Sequence, residues 1–172
     1  NDAITASYST DADAISPVGS YAIAPSLSGA ALSNYAITTN NGTLTVTVAP
    51  LTVRAENQAR AYGAANPPLT VVYSGFVNGQ DTNILSGSPV LITAAEPNRP
   101  VGPYPIMVSQ GTLSVADTNY SLGFADGTLT LTQAVLTVKA DDQTRVYGAT
   151  NPQLTASYSG FVNGQDTNIL SG

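Results

Sequence analysis

Acid–base chemistry in this sequence would have to be done by carboxylates alone. It contains eleven Asp and Glu residues, five Lys and Arg, and neither His nor Cys. The commonest general base, the commonest strong nucleophile and the usual transition-metal ligands are therefore missing. Ser is abundant, yet no G-x-S-x-G elbow occurs and no His exists to activate a hydroxyl. Paired carboxylates suffice to hydrolyse a glycosidic bond. The candidates are Asp2, Asp11, Asp13, Glu56, Asp81, Glu96, Asp117, Asp126, Asp141, Asp142 and Asp166, and most sit at turns or caps. No enzymatic activity is expected, and no catalytic or cofactor-binding residue is assigned.

Calcium needs only oxygen ligands, and Asp11-Ala12-Asp13 and Asp141-Asp142 offer partial sets. Neither the twelve-residue EF-hand loop nor a nonapeptide repeat is present, so turn-stabilising Asp is the preferred reading and no metal site is assigned. A thioester staple needs Cys. A Lys–Asn isopeptide has only Lys139, whose counterpart in the other copy is Arg54. Nine Tyr residues could stack on sugars, but Tyr62/Tyr147, Tyr73/Tyr158, Tyr35/Tyr120 and Tyr21/Tyr104 recur in matched strand contexts, which favours packing. Asn119-Tyr120-Ser121 and Asn41-Gly42-Thr43 match the glycosylation acceptor by chance, the second being explained by a turn.

Charged residues make up 9% of the chain and the net charge is -6. Such a surface is polar without being ionic, and it carries no basic stripe for nucleic acid or for anionic membranes. No apolar run reaches the length of a membrane span, so no membrane insertion is expected. The chain opens on Asn1 rather than Met, and we expect it to be a segment of a longer protein.

The elements that must position any site repeat. Residues 51–87 align without a gap onto 136–172, with 28 of 37 positions identical, and YSGFVNGQDTNILSG returns unchanged from Tyr73–Gly87 at Tyr158–Gly172. Tyr35–Val46 falls 85 residues before Tyr120–Leu131. In GTLTVTV (Gly42–Val48) and GTLTLT (Gly127–Thr132) apolar residues alternate with Thr, a period of two that marks half-buried strands. The dipeptides Asn41-Gly42 and Asp126-Gly127 predict hairpins, Tyr35–Thr39 into Thr43–Val48 and Tyr120–Phe124 into Thr128–Thr132. Further strands are expected at Leu51–Ala55, Leu69–Phe76, Pro89–Ala94, Tyr104–Val108, Leu136–Ala140 and Leu154–Phe161. DTNIL, at Asp81–Leu85 and Asp166–Leu170, is the one helical candidate, a single turn capped by Asp.

At Ala49-Pro50 the apolar phase slips by one residue, from Leu44, Val46 and Val48 to Leu51, Val53 and Ala55. A slip of one swaps the buried face, so the chain leaves one repeat's core and enters the next with almost no linker, as in a stiff tandem. Residues 1–50 are then the C-terminal half of one repeat, 51–134 a complete repeat and 135–172 the N-terminal half of another. The alternative phase is 1–87 and 88–172.

The ordered pattern LTV-x-A, Q-x-R-x-YG, NP-x-L, YSGFVNGQD, ILSG, VGPY, NY and GTLT resembles the MBG-type tandem repeats of large bacterial surface adhesins. Its signatures here are Ala61-Tyr62-Gly63, Val146-Tyr147-Gly148, Asn66-Pro67, Asn151-Pro152, both NGQD segments and Gly102-Pro103-Tyr104. The resemblance implies an extracellular or cell-surface location and a stalk role. The expected fold is all-β, elongated tandem immunoglobulin-like β-sandwich modules of about 85 residues, with a β-grasp-like module as the alternative. The expected function is a structural spacer in a cell-surface or biofilm-matrix adhesin. The alternatives are a glycan-binding module and a self-assembling fibre subunit with complementary half-repeats. Partners would be neighbouring repeats, head-to-tail copies or glycans.

Overall fold

A computed structural model describes residues 3–171. The chain is all-β: fourteen short strands and three single 3₁₀ turns, with no α-helix among the described residues. The first strands are β1 (Thr5–Ser9), β2 (Gly19–Ser28), β3 (Gly42–Val46), β4 (Ala49–Ala55), β5 (Gln58–Ala61), β6 (Val71–Ser74) and β7 (Leu85–Ser86). The others are β8 (Val90–Thr93), β9 (Gly102–Ser109), β10 (Ser114–Val115), β11 (Tyr120–Ala125), β12 (Gly127–Thr132), β13 (Thr137–Ala140) and β14 (Ala156–Ser159). They form several small sheets, ordered β1-β2-β3, β10-β7, β11-β4-β6, β5-β12-β9-β8 and β13-β14, consistent with the expected sandwich class.

The chain divides into two compact units. One takes in the chain up to Val53, Tyr73–Pro89 and Gln110–Phe124. The other takes in Arg54–Val72, Val90–Ser109 and the chain from Ala125 onward. In the first unit Leu51, Val53, Leu113 and Tyr120 are buried; in the second Ala55, Ala95, Ile106, Val108, Leu129 and Leu131 are. These are the inward positions of period-two strands: β12 alternates buried Leu129 and Leu131 with Thr, as its sequence predicts.

Neither expected hairpin forms. Tyr35–Thr39 is not a strand, and β3 pairs instead with β2, Tyr21 facing Leu44 and Ile23 facing Gly42. In the complete copy β11 and β12 are both strands but belong to different sheets, and β12 pairs with β9, Tyr104 facing Leu129. The reason lies in Asp126-Gly127, which acts as a crossing between sheets. The Asp126 carboxylate accepts the Val108 N–H at 2.9 Å, and a Cβ on Gly127 would lie 2.5 Å from the Ala55 carbonyl oxygen. Gly is needed there for close approach of backbone, not for a tight turn.

The registers also give β2 and β9 an offset of 83 rather than 85, which aligns Tyr21 with Tyr104. Both hydroxyls donate to the carbonyl four residues back, Tyr21 to Pro17 and Tyr104 to Pro100. Strands Leu51–Ala55, Pro89–Ala94, Tyr104–Val108 and Leu136–Ala140 fall where expected, while the two at Leu69–Phe76 and Leu154–Phe161 are shorter. DTNIL forms a 3₁₀ turn in each copy, Asp81 accepting from Asn83 N and Asp166 from Asn168 N, both at 2.8 Å.

A parallel pair completes the four-stranded sheet: β5 runs beside β12, with Gln58 opposite Leu129 and Ala61 opposite Thr132. Asn57 Oδ1 accepts from Thr128 N at 2.9 Å, and Tyr62 N donates to the Thr132 carbonyl at 2.8 Å, fixing both ends. Arg60, between them, is the buried charge of the second unit. Its Nε donates to Asn66 Oδ1, Nη1 to the Ala61 carbonyl at 3.2 Å, and Nη2 to the carbonyls of Ala95 and Glu96 at 3.1 and 2.7 Å. A buried guanidinium is tolerated only when its donors are met in this way, which gives the Asn-Pro signature a packing role.

Candidate functional site at the joints between repeats

The duplicated VNGQ sequence is a tight turn. Gln80 N donates to the Val77 carbonyl and Gln165 N to that of Val162, each at 3.0 Å. Asn78 and Gly79 take φ of 55° and 73°, and Asn163 and Gly164 take 56° and 72°, the left-handed pair that a type I′ turn demands. Asn tolerates that region because its short polar side chain compensates locally.

Each turn faces residues of the preceding repeat. In the first unit a cavity of about 300 Å³ is lined by Val18, Val46 and Ala49 on one side and Val77, Gln80 and Tyr120 on the other. In the second unit a cavity of about 450 Å³ is lined by Tyr62, Val101 and Ala134 opposite Val162, Gln165 and Ile169. The matched positions Ala49/Ala134, Val77/Val162 and Gln80/Gln165, together with Val18/Val101 at the 83-residue offset, mark these as one joint occurring twice.

At the first joint Asn119 reaches across: its Oδ1 accepts from Val18 N at 2.7 Å and its carbonyl from Ala49 N at 2.8 Å. Behind it the turn is braced. The Tyr120 hydroxyl accepts from Val77 N at 3.0 Å and donates to Gln80 Oε1, Gln80 Nε2 donates to Asp117 Oδ2 at 3.1 Å, and Phe76 meets the Tyr120 ring edge-on. The Asn119 backbone N–H, and then the Gln80 side chain, hold the Asp117 carboxyl below its usual value, because both hydrogen bonds favour the charged form.

At the second joint the Tyr62-Gly63 turn receives the next copy's Val162. Ala64 N donates to the Ala61 carbonyl at 3.1 Å, and Gly63 has φ 81°, as the third position of a type II turn requires. A Cβ on Gly63 would lie 2.6 Å from Val162 Cβ. The Pro97 carbonyl accepts from both Gly63 N and Asn163 Nδ2, at 3.2 Å each. Gly148, the same position in the third copy, has φ 86° and nothing within 4 Å of a Cβ.

The residues singled out for chemistry are otherwise engaged. Asp13 Oδ1 accepts from Ile15 N and Ser16 Oγ, both at 3.0 Å, a turn role as preferred above. Asp141 accepts from the Ser157 and Thr155 hydroxyls at 2.7 Å, which keep its carboxyl below the usual value. Asp81 and Asp166 cap their turns, Asp117 and Asp126 hold backbone N–H groups, and Glu56 accepts from Thr70 Oγ1 at 2.6 Å. Lys139 lies exposed in β13. No cluster of metal-ligating side chains occurs among the described residues, and no helix among them is long and apolar enough to cross a membrane. What sequence reasoning missed is that the VNGQ and YG turns meet across a repeat boundary; their shared duplication is the signal that pointed there.

Fold and joints together define an all-β tandem repeat array whose successive copies interlock through turns they all carry. The chain belongs to the MBG domain family of the YGX type, whose model matches residues 1–45, 51–130 and 136–172. The Tyr-Gly of that description stands at Tyr62-Gly63 and Tyr147-Gly148. Membership makes the chain a repeat domain of the kind found in surface proteins. Neither a curated protein nor a solved structure matches it.

Proposed function

We propose that this chain is a structural spacer, a run of repeats in a bacterial cell-surface or matrix adhesin that holds an adhesive region at a distance from its anchor. The observation that carries this reading is the joint itself. Each repeat presents the VNGQ turn toward its predecessor, and at the second joint the YG turn of one repeat receives the Val162 of the next. Only Thr47 and Val48 separate β3 from β4, so little free chain is left to bend, and the interlock opposes what bending remains. The low charge supports the same reading, because a surface of Thr, Ser, Asn and Gly has few groups with which to bind ions or charged ligands. The acids examined above are engaged in turns, caps and hydrogen bonds, which also fits a load-bearing rather than a chemical role.

The test is a ruler experiment. One, two or three copies of the chain are inserted between a surface anchor and a fluorescent reporter, and reporter height is measured. Height is expected to grow linearly with copy number. Growth with the square root of residue number, as for a Gly/Ser linker of equal length, would reject the spacer reading.

A further inference from the structure

The two incomplete repeats carry the two halves of one interface. β3 has β2 on one side and no partner on the other, whereas its counterpart β12 has β9 on one side and β5 in parallel on the other. The segment that corresponds to β5 in the third copy, Gln143–Val146, is not a strand there. β13 pairs with β14 alone, whereas its counterpart β4 lies between β11 and β6. Exposure follows: Leu44 is 38% exposed against 0% for Leu129, and Val138 is 58% exposed against 0% for Val53.

We propose that residues 136–159 of one copy of this chain dock on the open edge and bare face of residues 5–47 in a second copy, rebuilding between two molecules the repeat that residues 51–130 build within one. The occupant is fixed by the chain's own template, since the docking segment matches residues 51–74, whose seating is seen in full. An exposed strand edge is a ready site for such strand addition.

The contacts follow residue by residue. Gln143–Val146 pair in parallel with Leu44–Thr47, as Gln58–Ala61 do with Leu129–Thr132. Asp142, standing where Asn57 does, accepts from Thr43 N, and Tyr147 N donates to the Thr47 carbonyl. Arg145, which now reaches only the Val146 and Ala149 carbonyls at 3.4 and 3.2 Å, turns inward as Arg60 does. Its acceptors are the carbonyls of Ala12 and Asp13. They correspond to Ala95 and Glu96 at the 83-residue offset, and the local turn is already formed: Thr10 Oγ1 accepts from Ala12 N at 3.3 Å, as Thr93 Oγ1 does from Ala95 N at 3.4 Å. Val138 then takes the buried place of Val53.

The arrangement is head-to-tail, so each docked molecule leaves one new donor and one new acceptor free, and growth is open-ended. The purified 172-residue chain is examined by light scattering on a sizing column over a thousandfold concentration range. The expected result is a concentration-dependent ladder of multimers, with hydrogen exchange at Thr43 and Thr45 slowing as the ladder grows. Val138→Asp, which spoils the donor, and Leu44→Asp, which spoils the acceptor, are each expected to be monomeric. Mixed together they should form a dimer and nothing larger, because one intact donor meets one intact acceptor. Arg145→Ala, exposed in the single chain and harmless to its fold, is expected to weaken association at least tenfold. A monomer at every concentration overturns the proposal, as does a ladder that Val138→Asp leaves unchanged.

Discussion

Residues 51–87 and 136–172 are nearly the same sequence in two circumstances. Leu51 in β4 is fully buried and Leu136 is 42% exposed; Arg60 is buried on four acceptors while Arg145 is exposed. The same comparison runs through the other half of the repeat, where Tyr120 is 6% exposed and Tyr35 is 65% exposed. Local structure survives the difference: the VNGQ turn, the Asp-capped 3₁₀ turn and the YG turn have matching dihedrals in both copies. Turns are therefore written into the letters of each copy, whereas burial depends on a partner strand tens of residues away. A front half carries its own joints but not its own core.

The largest effect that would break this comparison is a core substitution made in both copies. Leu51→Ala is expected to cost about 2–5 kcal/mol in unfolding free energy, the range for a buried Leu that leaves a cavity. Leu136→Ala in the monomeric chain should change stability by no more than about 0.5 kcal/mol. Chemical denaturation of the two variants side by side checks this, and equal losses would mean that both copies possess the same core.

A smaller effect separates turn strain from joint packing. Gly63→Ala and Gly148→Ala both force a side chain into positive φ, at about 1–2 kcal/mol. Gly63→Ala also drives a methyl into Val162, whereas Gly148→Ala meets open space. Gly63→Ala is expected to be the worse of the two, and adding Val162→Ala should return the excess but not the shared strain. A double-mutant cycle with no coupling between positions 63 and 162 would remove the interlock from the second joint.

The smallest effect is on acid stability. The Asp117 carboxyl is held below its usual 3.8 in the folded chain. Its contribution is complete above that value and is lost as the pH falls below it through the lower folded pKa, since protonation is harder in the folded state than in the unfolded. Hydrogen exchange at Val18 and Ala49, which donate to Asn119, should quicken over that window. Asp117→Asn should flatten the response. Asp141, depressed by Ser157 and Thr155, is the control: Asp141→Asn should leave exchange at Val18 and Ala49 untouched.

Much of this fold was legible because repetition and alternation are local signals. The period of 85 residues, the Thr-alternating strands, the one-residue slip before Leu51 and the Asp caps needed nothing beyond neighbouring letters. Asn41-Gly42 and Asp126-Gly127 misled for the opposite reason. A dipeptide reports that a tight turn is affordable, but β12 takes its partners from Gly102–Ile106 and Gln58–Ala61, and no short window contains both. β5 was invisible because QARA has no apolar alternation; it is a strand by virtue of its parallel pairing and of Arg60 finding buried carbonyls. β1 was hidden by a polar sequence, and β2 by Pro25 and its alanines. The joints were half legible. Each turn could be read, but not that Val77 and Val162 look outward to a neighbour.

Plug and socket on every repeat have a genetic consequence. Because the VNGQ turn and the YG turn that receives it are both encoded within a single repeat length, any copy can follow any other without a compensating change elsewhere. Unequal recombination that inserts or deletes one whole period would leave every remaining contact intact, so selection is free to adjust the length of such an array without redesigning its parts.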